Sequence, residues 1–525
     1  MAVKPFLVAI SVVALTATPA VAAPDHNPRP QVLDVDLTQV CGQPTAGRVS
    51  IYHPTGRTSQ VAWRLRLNGA VAATGSVTME RSVATAEFSL PAGASGEVLV
   101  DAGGNTWREN VNAGCDPVRV VSVGDSVVWN QGVAADHKFP RRTAELLGEA
   151  TGRGYTHRDY SISGAVLDAP GDDCPGKPLQ NVDDDGEMEL GEVTAQMPDV
   201  FCQLDRAAAD GPVDLVIMNG CINDMDPLLG IPFGITPGTE DVPTAVRREC
   251  TGVGAAPENP AKDVPYFSGA KVGYGGRGMR AAVERAHALP GHPKVLLVDF
   301  YYALSRASGR LSSQCTDRGF AAEVQTECMR RLDLAPQRYE QFTRHSAEAY
   351  RQAVAEANAA SPDGPYAVAA DGLFTVDNAV FTENPLVWQF PTEDPAAALR
   401  HFACPEFSPT PPQCLTAALA HPNTAGSQQY AQNFLLNPSL RSWFKLPGEA
   451  HELTASMSGN TVSLRAHGVP GAKYRWFFGD GTTAVTPVPT TSHTYTTSGP
   501  HLPRVVAEAM GVRSLQEATT PVVIR

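Results

Sequence analysis

Positive charge is scarce in this chain: 41 Lys and Arg stand against 55 Asp and Glu, for a net charge of −14. No basic stripe could neutralise phosphates, which excludes nucleic acid as a natural partner. It argues equally against electrostatic docking on an anionic membrane. Beyond residue 22 no apolar run is long enough to span a bilayer. No two cysteines share a C-x-x-C window, so the usual zinc-ligand spacing is missing. No pair of acids stands out for glycosidase chemistry either. With 525 residues the chain exceeds one ordinary core, and about two to four domains are expected.

What is present begins with a secretory pattern over residues 1–22. Lys4 supplies the positive start, Phe6 to Ala17 an apolar stretch, and Ala20-Val21-Ala22 a small-residue cleavage site. Lys4 is the sole charge removed with it, leaving −15. The expected product is secreted, with no anchor. Ten cysteines remain, an even number in an oxidising compartment, so disulfides are the default. Order along the chain suggests Cys41–Cys115, Cys174–Cys202, Cys221–Cys250, Cys315–Cys328 and Cys404–Cys414, although sequence does not fix connectivity.

Three regions differ in pattern. Residues 24–116 carry short alternating runs such as Val61–Leu67, Ser76–Met79 and Glu97–Val100. Turn residues separate them at Asn68-Gly69, Pro91–Gly93 and Gly103–Asn105, which predicts a β-sandwich. From 117 to 446, apolar strand candidates alternate with helical stretches, the mark of a parallel α/β sheet. The strands are expected at Val118–Val123, Arg158–Ile162, Val213–Met218, Lys294–Phe300 and Tyr366–Ala369. The helices are expected around Arg141–Thr151, Val193–Ala209, Gly278–Leu289 and Pro336–Ala359. A three-layer flavodoxin-like sheet is the simplest architecture. Residues 447–525 return to β, with Lys473–Phe477, a Gly479-Asp480-Gly481 turn and a His493-Thr494-Tyr495 strand entry. These closely resemble a PKD domain, an Ig-like sandwich, with Phe477 where that family often has an acid.

Gly124-Asp125-Ser126 closes the run Val118–Val123 and precedes a helix-compatible stretch. A serine on a strand-to-helix turn can project from the carboxyl edge of a parallel sheet, where ligands bind. Three further segments follow in order: Ser163-Gly164, Gly220-Cys221-Ile222-Asn223-Asp224 and His421-Pro422-Asn423. Together they resemble the four blocks of the SGNH (GDSL-type) hydrolases, serine esterases and lipases. The resemblance implies Ser126 as nucleophile and His421 as base. Its oxyanion hole would use the backbone N–H groups of Ser126 and Gly164 and the side-chain amide of Asn223. Asp125 and Asp224 read as carboxylates that hold turns. Taken singly, Gly164 is a turn glycine, Asn223 an Asx turn and His421 a capping or loop histidine; their company favours function.

One departure is consequential. The family usually carries an Asp three residues before the histidine, and here that residue is Ala418, in the acid-free run Leu415–Ala420. Three explanations stand: a backbone carbonyl orients His421 to make a dyad, an acid from another loop substitutes, or the enzyme is weak or inactive. Dyads exist in the family, so the first ranks ahead.

Asn181, Asp183, Asp185, Glu189 and Glu192, with Gly186 between, fit an EF-hand calcium loop and suggest a structural Ca site. The stretch Met225–Gly276, opening with apolar Pro227–Ile235, reads as a lid or pocket wall, or as a cover for the sheet. Asp299–Tyr302 ends a strand at the same edge. The expected substrate is an ester, an acyl-chain lipid first and an acetylated polysaccharide as close competitor. The end domains could bind polysaccharide. The rival class is a non-catalytic glycan-binding or adhesion protein on a decayed hydrolase fold.

Overall fold

The computed structural model describes residues 30–38, 44–52, 59–79, 83–91, 94, 96–102, 106–111, 117–168, 192, 199–224, 241–252, 262–263, 271–272, 277–309, 322–389, 394–397, 400–401, 404–405, 414–446, 451–469, 471–509, 512–518 and 521–524. The signal segment, the lid-like Pro227–Ile235, and Asn181, Asp183, Asp185 and Glu189 of the calcium loop lie outside them.

The first seven strands make two antiparallel sheets. β1 (Gln31–Thr38), β2 (Thr45–Tyr52) and β5 (Val83–Leu90) form one, in the order β1-β2-β5. β3 (Ser59–Leu67), β4 (Ala70–Met79), β6 (Gly96–Asp101) and β7 (Thr106–Val111) form the other, ordered β4-β3-β6-β7. Val35, Val49 and Ile51 of the first share one core with Val61, Trp63, Leu65, Val98 and Val100 of the second. The β3–β4 hairpin turns on Asn68 (φ 50°) and Gly69 (φ 81°), the left-handed pair that Asn-Gly supplies most readily.

The middle region is mixed α/β around a five-stranded sheet. Its strands are β8 (Val118–Val123), β9 (Tyr155–Asp159), β10 (Leu215–Met218), β13 (Lys294–Val298) and β14 (Ala367–Ala370). A short hairpin of β11 (Lys262–Asp263) and β12 (Lys271–Val272) stands apart from it. The order is β14-β13-β10-β8-β9, every pair parallel. Counted along the chain this is 2-1-3-4-5, a doubly wound order that reverses beside β8. Successive residues Leu215, Val216, Ile217 and Met218 are all fully buried. Neighbouring side chains of a strand point to opposite faces, so both faces are covered.

Two helix groups supply that cover. α2 (Phe139–Thr151) packs with α7 (Thr424–Phe434). α3 (Val200–Ala207), α4 (Val242–Thr251), α5 (Met279–His287) and α6 (Ala322–Ala360) pack with one another. α6 starts well before Pro336, which lies inside the helix instead of opening it. β9 begins three residues earlier than its apolar pattern suggests. As an edge strand it is half-buried throughout, and Tyr155-Thr156-His157 give no apolar run. α3 is likewise shorter than expected, with Asp199 as N-cap through Cys202 N. Among the described residues no helix is long and apolar enough to cross a membrane.

Cys221–Cys250 ties the exit of β10 to α4, and Cys404–Cys414 closes a short loop, both as expected. Cys202 is disulfide-bonded. Its expected partner Cys174, and Cys41, Cys115, Cys315 and Cys328, lie outside the described residues.

The tail is built from β15 (His451–Ser458), β16 (Thr461–Arg465), β17 (Lys473–Phe477), β18 (Thr483–Thr486), β19 (Thr490–Thr494), β20 (Gly499–His501), β21 (Arg504–Ala509), β22 (Val512–Ala518) and β23 (Val522–Ile524). Trp476, fully buried, anchors its core with Tyr474 and Tyr495. The turn after β17 is fixed by Asp480, which accepts from Thr482 N at 2.9 Å and pairs with His493 Nε2 at 2.7 Å. That turn seats on the middle region. Gly481 O accepts from Val376 N at 3.1 Å, and Asp480 O accepts from Arg306 Nη2 at 3.0 Å. A Cβ on Gly481, whose φ is 83°, would stand 2.4 Å from Val376 Cγ1. Arg504 pairs with Asp371, and Leu373 and Leu436 pack on Val506 and Leu515. A cavity of about 60 Å³ at this junction is lined by Asp299, Tyr301 and Arg504, and by neither Ser126 nor His421.

Candidate active site

Ser126 follows β8 directly and opens α1 (Ser126–Trp129), a single helical turn. Being the first helical residue, its N–H has no intrahelical acceptor and faces out of the turn. The elbow before it is locked from two sides. Gly124 N donates to Gln203 Oε1 at 2.5 Å, and Gln203 Nε2 donates to Gly124 O at 3.0 Å. Asp125 N donates to Asn219 Oδ1 at 3.1 Å, and Asn219 Nδ2 returns a bond to Asp125 Oδ1 at 3.0 Å. Gly124 has φ 143°, and a Cβ there would lie 2.2 Å from Asn219 Oδ1, so only glycine fits. Asp125 caps α1 by accepting from Val127 N at 2.8 Å. Its burial pushes the carboxyl up to about 6, against the bonds from Val127 and Asn219.

His421 arrives from the opposite end of the chain, on the loop before α7. Trp388 N donates to His421 O at 2.8 Å, Ala420 N donates to Trp388 O at 2.9 Å, and Val387 bridges to Pro422. Asn423 then caps α7 by accepting from Gly426 N at 3.0 Å. The two candidate catalytic side chains meet: His421 Nε2 stands 2.7 Å from Ser126 Oγ. His421 Nδ1 stands 3.3 Å from the carbonyl of Leu419. A carbonyl only accepts, so Nδ1 carries the proton. Nε2 is then bare and accepts from the serine hydroxyl. Burial holds the imidazole down to about 4, the Leu419 carbonyl and the Glu192 charge opposing it.

Ala418 is fully buried, and the position of a Cβ on Gly132 lies 2.7 Å from Ala418 Cβ and 3.0 Å from Asp394 Oδ1. Ala418 and the Asp394 carboxylate thus both border Gly132.

Gly164 sits in a turn with φ 85°. Asn223 Nδ2 donates to Ala165 O at 2.9 Å, and Asp224 accepts from Leu167 N at 2.9 and 3.1 Å. The Gly164 and Asn223 segments are thus tied together, with one amide hydrogen of Asn223 spent and a second left over. Asp125 and Asp224 hold turns, as their positions suggest.

Glu192 is held by bonds the sequence does not suggest. Its carboxylate accepts from Trp129 Nε1 at 2.8 Å, Gln131 Nε2 at 2.9 Å and Gly132 N at 3.1 Å, and pairs with Arg400. In this structure its carboxylate is thus engaged by N–H donors, while the remaining oxygens of the expected calcium loop lie outside the described residues. Among the described residues no group of three His, Cys, Asp or Glu is placed to hold a metal ion.

Sequence reasoning misses Gln203, Asn219, Asp394, Arg400 and the 385–388 segment, all of which position the site from distant parts of the chain. Asn219 alone carries a signal, through its place beside Gly220. A second Ser–His–Asp grouping is a decoy. Ser122, fully buried, bonds both His157 Nε2 at 3.0 Å and Asp159 Oδ1 at 2.7 Å, so the acid and imidazole converge on the serine instead of aligning in series.

Residues 449–523 match the PKD domain family. No curated protein matches the chain. Among solved structures, the PKD1 domain of Vibrio anguillarum Epp is 22% identical, covering 15% of this chain and 100% of its own, at TM-score 0.13. Phospholipase A1 from Streptomyces albidoflavus NA297 is 11% identical, with 61% of this chain and 99% of its own covered, at TM-score 0.28. A Parabacteroides merdae protein described as a GDSL-like lipase is 10% identical over 63% of this chain and 97% of its own, at TM-score 0.26. At such scores these likenesses carry no weight beside the geometry.

Proposed function

We propose that residues 117–446 form an SGNH-type serine ester hydrolase, three-layered and flavodoxin-like, flanked by a β-sandwich on each side and secreted. The observation that carries the reading is the 2.7 Å approach of His421 Nε2 to Ser126 Oγ, with the tautomer set by the Leu419 carbonyl. As the serine oxygen attacks an ester carbonyl, its proton passes to His421 Nε2. The imidazolium then protonates the leaving alkoxide, and an acyl-enzyme remains. Water then attacks the acyl carbonyl while giving a proton to the same nitrogen, and His421 returns that proton to Ser126 Oγ as the acyl–oxygen bond breaks and the acid leaves. The oxyanion is received by the N–H groups of Ser126 and Gly164 and the free amide hydrogen of Asn223. The centre is a dyad in which a carbonyl dipole replaces the acid. No step calls for a metal.

Acyl-chain lipids are the proposed substrates, with acetylated polysaccharide as the competitor. The test is hydrolysis of p-nitrophenyl acetate, butyrate and palmitate by the mature protein and by Ser126→Ala. Loss of turnover in the variant supports the serine hydrolase, and the chain-length profile separates the two substrate classes. Equal rates in both proteins, or none on any ester, would overturn the reading.

A further inference from the structure

Behind the dyad lies a cluster of three buried charges: Glu192, Asp394 and Arg400 are 3%, 5% and 0% exposed. Arg400 joins the two carboxylates, Nη1 to Glu192 and Nη2 to Asp394, so the group carries one net negative charge. Burying three ions is costly, and a packed apolar cluster of the same volume would serve stability as well. What the charges touch is therefore informative. Among the described residues, the other donors to Glu192 belong to Trp129, Gln131 and Gly132, within six residues of Ser126. On the far side of the cluster Asp394 Oδ1 borders Gly132, as Ala418 Cβ does, at 3.0 and 2.7 Å from the position of a Cβ on that glycine.

We infer that Glu192, clamped by Arg400 and Asp394, is a positioning residue of the dyad, which fixes the loop after Ser126 and supplies through space the negative charge that residue 418 does not. This rests on the Ser126–His421 reading. Among the described residues, His421 meets the Ser126 hydroxyl and the carbonyls of Leu419 and Ala417, and feels the charges of Glu192 and Arg400. A carbonyl dipole offsets only part of the charge that the imidazolium gains when it takes the serine proton. The excess anion of the cluster supplies the rest without a direct contact. Among these neighbours Glu192 draws the imidazole upward and Arg400 draws it downward.

Glu192→Gln keeps the size and an acceptor but removes the charge. The variant is expected to lose about tenfold in kcat on p-nitrophenyl butyrate at unchanged KM, the acid limb of its profile moving down by about one pH unit. Glu192→Asp should restore part of both. The independent readout is the titration of His421 by histidine-selective NMR, which needs no substrate, and it should move down with the limb. A His421 titration unchanged in Glu192→Gln overturns the inference, even where kcat falls, because a brace alone would leave it in place. Should that variant fail to fold, Asp394→Asn, which leaves the serine-loop donors intact, is expected to move the titration in the same direction; no movement there is equally fatal. Failure of the underlying reading looks different: wild-type protein would neither turn over esters nor be labelled at Ser126 by a fluorophosphonate.

Discussion

Replacing Asp125 by Asn should make the stability of this protein less dependent on pH, by an amount the structure sets. Asp125 is fully buried with Oδ1 accepting two bonds, from Val127 N and Asn219 Nδ2, while Oδ2 has no partner among the described residues. Burial raises the carboxyl from 3.8 to about 6. A carboxyl raised on folding binds its proton more tightly in the native state. Its penalty is therefore absent below pH 3.8, grows between 3.8 and 6, and is complete above 6. Two pH units and a little more correspond to about 3 kcal/mol. Asn in the same rotamer keeps Oδ1 for both donors and has no charge to desolvate. Its unpaired Nδ2 costs about 1–3 kcal/mol at every pH. The absolute gain at neutral pH is therefore small, and the pH dependence is the cleaner signal. Urea unfolding of both proteins at pH 7.5 and at pH 3.5 reads it. Relative to wild type, the variant should gain about 3 kcal/mol between the lower and the higher pH. A difference that is the same at both values would refute the reasoning.

Gly124→Ala forces a Cβ into Asn219 Oδ1 at a φ of 143° and shifts the elbow; ester turnover should fall about a hundredfold, as a small misplacement of a nucleophile does, with a lower melting temperature by calorimetry. Since burial holds His421 down to about 4, the base stays neutral well into acid. The kcat/KM profile should be flat from pH 5 to 8 and fall only near 4; a limb at the ordinary histidine value of about 6.5 would contradict this. Ala418→Asp should not build a triad, because the side chain would meet Gly132 and Asp394. It is expected to cost about 1–3 kcal/mol by overpacking and to lower kcat, read by denaturation and ester assay.

Much of the middle sheet is legible in the sequence because burial on both faces writes itself as unbroken apolar runs, at Val118–Val123 and Leu215–Met218. β9 is harder to see, since an edge strand can be polar and still pair. The four site segments are legible as a block order, and Ala418 shows in the sequence that no acid stands three residues before His421; the Leu419 carbonyl beside Nδ1 does not. The groups that hold those segments are not. Gln203 is one polar residue on a helix whose inward face reads as apolar, and only its bonds to both ends of the Gly124 peptide reveal it. Glu192 is the instructive case. An oxygen at the twelfth position of an acidic loop suits calcium by spacing, and its pairing with Arg400, 208 residues away in sequence, could not be read from it. Spacing reports local chemistry, and a partner that distant leaves no local trace.

The seating of the Gly479-Asp480-Gly481 turn against Val376 has a mechanical consequence. A tail joined by a loose strap would let the hydrolase sweep a volume around whatever the tail grips, with the linker setting its effective concentration. Here the joint is welded by main-chain bonds, an ion pair and a shared apolar patch. The tail then acts as a ruler and not as a leash. On the proposed reading, any surface that holds its outer strands would meet Ser126 at one distance and one attitude, so esters at that reach would be cut and others passed over.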